Sequence, residues 1–272
     1  MTYISIQYLR DMRQRDEKIA VVTSYDASFT KHIEAAGVEV ILVGDSLGMV
    51  LQGHDSTLPV TVDDMVYHTK LVARAREHAL LIADMPYHSY TDNDSALSNA
   101  QRLIEEAGAD MVKLEGGGDI VAVTEHLIKN GIPVCGHLGL LPQSVIELGG
   151  YKVQGREQDA AEQMLQDARA LVTVGVEMIV LECIPEELAK RFQTEVDVIT
   201  IGIGAGANCS GQVLVVYDLL GITPGKRPKF SKDFLTSLPA DENRENAITA
   251  AIESYVKAVK AGEFPAAEHS FH

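Results

Sequence analysis

Cysteine is scarce in this 272-residue chain, and the three present, Cys135, Cys183 and Cys209, are an odd set with no paired metal-ligand spacing. That argues against a disulfide framework or a zinc site. Each lies in or beside an apolar segment and is expected to be buried, reduced and structural. Long apolar runs are missing too. Arg10, Asp11, Arg13, Arg15, Asp16, Glu17 and Lys18 interrupt the first twenty residues, leaving no stretch suited to a signal peptide. No later run approaches the roughly 20 residues that span a bilayer. Positive charge is short as well: 23 Lys and Arg stand against 39 Asp and Glu, a formal charge of −16. Such an excess repels nucleic acid and anionic membrane, so an anionic substrate has to be captured locally by a metal or by individual Lys, Arg and His. These absences predict a cytoplasmic protein that handles small molecules and has neither DNA nor lipid as a partner.

What is present is a steady alternation. Short β-branched runs occur at Ile19-Thr23, Val38-Val43, Leu80-Ala83, Met111-Glu115, Pro133-His137, Met178-Glu182, Val198-Ile203 and Val213-Tyr217. Most are apolar on both alternations, the mark of parallel strands covered on both faces. Helical patterns lie at Ala27-Ala36, Val62-Glu77, Ser95-Ala107, Ile120-Lys129, Ala160-Val174, Pro185-Gln193 and Ala247-Ala261. Gly37, Gly108, Gly131 and Gly175 each follow a helical segment, where tolerance of positive φ ends a helix. Eight strands with crossover helices predict one (β/α)8 barrel domain spanning residues 1–272. An amphipathic segment at Ser5-Arg13 is expected to plug the barrel's bottom, and a final helix closes the chain.

Four acids end four of the apolar runs: Asp45, Asp84, Glu115 and Glu182. An acid beside a buried strand has to be hydrated, hydrogen-bonded, paired or metal-bound to offset its desolvation. Converging acids with few cations nearby point to a divalent metal, and hard oxygen ligands suit Mg2+. In such barrels the site lies at the carboxyl ends of the strands. Tyr25, Asp26 and Ser46 fall at that end, as do Lys113 and His137. So do the longest loops, Ser46 to Thr61 and Leu138 to Asp159.

Plainer roles compete for each residue. An Asp before a helix is often an N-cap. Glu115 and Lys113 could form an outward ion pair, yet residues two apart on a strand share one face, which favours a common site. His137 reads as pocket lining. His54, His68, His88 and His126 share no spacing and receive no role, with His68 and His126 placed on helix surfaces. The glycines at 202, 204 and 206 lack the order of a dinucleotide motif, and close backbone approach in a tight loop explains them better.

The segments Val43-Gly44-Asp45-Ser46-Leu47-Gly48-Met49, Gln52-Gly53-His54-Asp55-Ser56-Thr57-Leu58-Pro59-Val60, Val112-Lys113-Leu114-Glu115-Gly116-Gly117, Cys135-Gly136-His137-Leu138-Gly139-Leu140 and Gly149-Gly150-Tyr151-Lys152-Val153-Gln154-Gly155-Arg156 occur in an order that resembles the ketopantoate hydroxymethyltransferase family over essentially the whole chain. The resemblance implies a phosphoenolpyruvate/pyruvate-type magnesium barrel that assembles as a homo-oligomer, commonly a decamer. It implies transfer of a one-carbon unit from methylenetetrahydrofolate to α-ketoisovalerate (3-methyl-2-oxobutanoate), through a magnesium-stabilised enolate, on the way to pantothenate and coenzyme A. By motif matching, Asp45 and Asp84 are implied metal ligands, with Glu115 reaching the metal directly or through water. Asp45, Ser46, Asp84, Lys113 and His137 are implied substrate contacts, and Glu182 is the implied proton-transfer base. Leu141, where a Thr is common, and Ser210, where an Asp is common, depart from the pattern outside that set. Two other readings are a magnesium-dependent lyase or mutase acting on another 2-oxo acid and a non-catalytic barrel that binds a keto acid. The Gly53 to Val60 motif argues against the first, and a base at Glu182 beside a metal site argues against the second.

Overall fold

The computed structural model describes residues 3–147, 149–225, 227–238 and 246–272. Eight parallel strands close into a barrel in sequence order, with β8 returning to pair with β1. They are β1 (Ile19–Thr23), β2 (Val40–Val43), β3 (Leu80–Asp84), β4 (Met111–Glu115), β5 (Val134–Gly139), β6 (Met178–Glu182), β7 (Ile199–Ile203) and β8 (Gly211–Leu214). The helices are α1 (Ile6–Gln14), α2 (Ala27–Ala35), α3 (Leu47–Val50), α4 (Val62–Ala75), α5 (Asn93–Gln101), α6 (Ile120–Lys129), α7 (Gln158–Thr173), α8 (Glu186–Glu195), α9 (Val216–Leu219) and α10 (Ala247–Lys260). Gly37, Gly108, Gly131 and Gly175 all have positive φ, as helix-ending residues should. No helix among the described residues is long and apolar enough to cross a membrane.

Strand alternation divides the apolar side chains into two cores. Ile19, Val21, Val40, Leu42, Leu80, Ile82, Met111, Cys135, Met178, Val180, Ile199, Ile201 and Val213 point into the barrel. Their neighbours in sequence, such as Ala20, Ile41, Leu81, Val112 and Ile179, pack outward against the helices. Leu9 and Met12 of α1 join the inner set, so the amphipathic first helix seals the barrel's amino end as expected. Each such side chain removed from water contributes roughly 1.5–3 kcal/mol.

Several boundaries moved for identifiable reasons. The last strand was expected over Val213-Tyr217 but pairs only over Gly211–Leu214. The Val216 amide donates to Thr23 Oγ1 at 2.9 Å, and the chain turns into α9. At β2, Val38 and Glu39 precede the paired segment, and Glu39 Oε2 accepts from the Ala20 amide at 2.9 Å. The helix expected from Ser95 begins two residues earlier because Asp92 caps it, and a wider π-type turn, Arg102–Glu106, continues it. No helix joins β7 to β8. The short connection is held instead by Ser210, whose amide donates to Thr200 Oγ1 at 3.1 Å, and by Lys18 Nζ donating to the Cys209 carbonyl at 2.8 Å. All three cysteines are free and buried.

Candidate active site

The strand register builds the site. Asp84, Lys113, Glu115, His137 and Glu182 have the same parity as the inner core and lie at or near the carboxyl ends of β3 to β6. Asp84 stands beside Lys113, Glu115 beside His137, and Gly139 beside Glu182. Gly139 has φ +99°, and a Cβ there would lie 2.2 Å from the Glu182 carbonyl oxygen. Glycine therefore lets β5 and β6 approach closely where they pair at Gly139 and Glu182.

Lys113 Nζ is the hub, 3.2 Å from Asp84 Oδ1, 3.0 Å from His137 Nδ1 and 3.9 Å from Glu115 Oε1. Burial disfavours its charge, but Asp84, Glu115 and Asp45 outweigh burial and raise its pKa. An ammonium has no lone pair, so at 3.0 Å His137 Nδ1 has to accept. The ring proton then sits on Nε2, which faces Glu182 Oε2 at 3.3 Å. Burial and Lys113 oppose a second proton on this ring, while Glu115 and Glu182 favour one and raise its pKa. Taking that proton would turn Nδ1 toward Glu115 Oε1, 3.4 Å away, at the expense of the lysine contact.

Asp45 follows β2 and is not a helix cap: Ser46 occupies that position before α3. Its amide donates to Asp84 Oδ2 at 3.1 Å, and its own Oδ2 accepts from Gln143 Nε2 at 2.8 Å. Burial, then the charges of Asp84 and Glu115, push the Asp45 pKa well up. Burial also raises Asp84, against the pull of Lys113. Glu115 moves the other way, because His137, Lys113 and the Gln143 amide outweigh burial. Its Oε2 accepts that amide at 3.0 Å.

The oxygens fit a hard divalent cation. Asp45 and Asp84 are buried carboxylates raised by burial and by acidic neighbours, a condition that a cation would relieve. Asp84 Oδ1 is buried and receives no well-aligned hydrogen bond. Both Glu115 oxygens face protein groups, which suits contact through water better than direct ligation. Among the described residues no group of three or more His, Cys, Asp or Glu forms a protein-only cage. Mg2+ needs none, since it takes one or two carboxylates and completes its shell with water and substrate oxygens.

The structure brings Asp45, Asp84, Lys113, Glu115, His137 and Glu182 into one cluster. Ser46 is at its edge, with Oγ 2.8 Å from Tyr25 Oη. Asp26 is not part of it: its Oδ1 caps α2, accepting from the Ser28 amide at 2.7 Å and the Phe29 amide at 3.0 Å. His68 is not a simple surface residue either, since its Nδ1 lies 2.8 Å from the Tyr25 carbonyl oxygen. Glu182 is less enclosed than expected from its apolar flanks. Its side chain is 14% exposed against 3% for Glu115, which leaves it open to a substrate. Sequence reasoning missed Gln143 and Tyr90, for neither carries charge or a recognisable motif. A cleft of about 470 Å3 lies at the opposite end, lined by Arg13, Lys18, Gln193, Asn208 and Ser210. No residue of the cluster lines it, and its Arg13 is paired with Asp197.

The family model described as ketopantoate hydroxymethyltransferase matches residues 3–267. The chain belongs to the ketopantoate hydroxymethyltransferase family. It is 53% identical over 272 residues to 3-methyl-2-oxobutanoate hydroxymethyltransferase of Tolumonas auensis, with all of both chains covered. It is 52% identical to 3-methyl-2-oxobutanoate hydroxymethyltransferase 2 of Hahella chejuensis, with 99% of each chain covered. Among solved structures, phosphonopyruvate hydrolase aligns with a TM-score of 0.60 at 13% identity, covering 96% of this chain and 99% of that one. For 2,3-dimethylmalate lyase, a PEP mutase/isocitrate lyase superfamily member, the values are 0.60 and 15%, with 97% and 99% covered. At these identities the likeness shows a shared fold alone.

Proposed function

We propose that this cluster performs the family's reaction through a carbanion at C3 of the keto acid, with Glu182 as base. The chain is a hydroxymethyltransferase that forms ketopantoate from 3-methyl-2-oxobutanoate. The observation that carries the mechanism is the pairing of an accessible Glu182 with a buried ring of Asp45, Asp84, Lys113 and His137 beside it. Mg2+ held by Asp45 and Asp84, with Glu115 behind a water, would stabilise negative charge on the keto oxygen as the neighbouring C–H loses its proton.

The protein's own groups do the rest. Lys113 balances the anionic carboxylate or the charge developing as the proton leaves. His137 turns Nε2 toward Glu182, 3.3 Å away, and Ser46 and Tyr25 close one edge with hydroxyls. Glu182 takes the C3 proton, and C3 then bonds to the methylene carbon of the iminium form of methylenetetrahydrofolate, whose C=N electron pair passes to nitrogen; the remaining C–N bond breaks as water supplies the hydroxyl oxygen, releasing tetrahydrofolate and ketopantoate. Three buried free cysteines agree with a reducing, cytoplasmic setting, and a homodecamer is the proposed assembly. The test is ketopantoate formation from 3-methyl-2-oxobutanoate and methylenetetrahydrofolate. We expect product that disappears with EDTA and returns with MgCl2. Undiminished turnover after complete chelation would refute the metal, and no product with both substrates bound would refute the reading.

A pH dependence follows from Asp45 and Asp84. Their raised folded pKa values mean that, above the ordinary carboxylate range and below those raised values, the folded state holds more protons than the unfolded one. Stability therefore falls as pH rises through that window. A divalent cation competes with the same protons, so its stabilisation runs oppositely. Thermal melts in MgCl2 and in EDTA from about pH 5 to about pH 8 should show a Tm difference that widens with pH. A difference independent of pH would contradict cation binding at these two carboxylates.

A further inference from the structure

Gln143 is buried in the short 3-10 turn Pro142–Ser144, on the loop that follows β5. Its Nε2 lies 2.8 Å from Asp45 Oδ2 and 3.0 Å from the Met85 carbonyl oxygen, and its Oε1 accepts from Tyr90 Oη at 2.5 Å. Both groups facing Nε2 are acceptors, one of them a carbonyl that cannot donate. The amide therefore has one satisfactory orientation, with NH2 toward Asp45. Tyr90 enforces it. Burial keeps that phenol protonated and donating, which fills the acceptor side of the amide. The backbone of the same residue reaches the other side of the cluster, where the Gln143 amide donates to Glu115 Oε2 at 3.0 Å.

We propose that Gln143, locked by Tyr90, is a positioning residue for the metal site: its amide engages Asp45 Oδ2 and so turns the other Asp45 oxygen toward the cation. This rests on the reading of Asp45 as a ligand. Without the amide, the Asp45 carboxylate rotates more freely, and its ordering has to be supplied when the cation binds. The arrangement also ties the β5 loop to the metal site, because the residue that aims Asp45 also donates to Glu115.

The test is Mn2+ titration of the substrate-free protein by electron paramagnetic resonance, comparing wild type with Gln143→Met, Tyr90→Phe and Asp45→Asn. Methionine keeps the volume and the backbone amide while removing the side-chain donor. Loss of a hydrogen bond that orients a ligand typically weakens metal binding about 10–100-fold, and Gln143→Met is expected to fall in that range. Tyr90→Phe removes only the lock and should shift the Mn2+ Kd in the same direction by less. In Gln143→Met, kcat should recover at saturating Mg2+ while the keto acid KM measured at low Mg2+ rises, a split that simple loss of folding stability would not produce. If Asp45→Asn abolishes Mn2+ binding while Gln143→Met stays within about twofold of wild type, the Gln143 role is overturned alone. If Asp45→Asn binds Mn2+ normally, the metal reading itself is overturned. If Gln143→Met fails to fold, an unchanged Kd in Tyr90→Phe overturns the proposal and a weakened one supports it.

Discussion

Glu182→Gln is expected to lower kcat about 10²–10⁴-fold, the usual contribution of a positioned general base. Glutamine preserves the size of the side chain and keeps an oxygen facing His137 Nε2, which lies 3.3 Å from the carboxylate oxygen. What it cannot do is take a proton. Asp45, Asp84 and Lys113 remain in place, so keto acid KM and Mn2+ affinity should stay within about threefold of wild type. The loss should then appear equally in kcat and kcat/KM, the pattern of an interaction made only in the transition state. Steady-state kinetics on the purified variant check both. A variant that turns over normally would remove Glu182 from the base role, and one that loses substrate binding instead would make it a binding group.

Lys113→Met should cost the most stability. The side chain is 4% exposed and sits among Asp84, Glu115 and His137. Methionine fills the volume but leaves two enclosed carboxylates with no cation, and breaking a buried pair by removing one partner costs about 3–5 kcal/mol. Stranded carboxylates hold protons to higher pH, so the loss should be largest above their raised pKa values and shrink as pH falls toward the ordinary carboxylate range. Added MgCl2 should restore part of it. Urea unfolding across that pH span measures the effect, and a variant as stable as wild type in EDTA would mean that Lys113 does not neutralise this cluster.

The barrel was legible because eight short runs, most of them apolar on both faces, alternate with helical patterns. Met111, Lys113 and Glu115 are two apart on one strand, which already places the lysine and glutamate on the face that the structure turns inward. Asp84 and Glu182 end such runs, and the register then sets Asp84 beside Lys113 without further information. Asp45 was legible only through its neighbours, because it lies beyond β2, where strand parity no longer applies. The end of β8 misled because Val213-Leu214-Val215-Val216-Tyr217 has strong strand character, and only Thr23, far away in sequence, diverts the Val216 amide. Gln143 was invisible for a related reason. It is uncharged, lies in an irregular loop, and meets Asp45 across 98 positions of sequence, so its role exists only once the barrel closes. Asp26 lies at the carboxyl end of β1 as its position in sequence indicated, and its side chain there caps α2.

The central claim is that this site removes the C3 proton of 3-methyl-2-oxobutanoate by Glu182 with a divalent cation present. The most direct measurement is proton NMR of that keto acid in heavy water with wild-type protein, MgCl2 and no folate, run beside Glu182→Gln and beside EDTA. The account predicts loss of the C3 proton signal with wild type and its persistence in both controls. Exchange that continues in Glu182→Gln at the wild-type rate would contradict the assignment of the base, and exchange that continues in EDTA would contradict the cation.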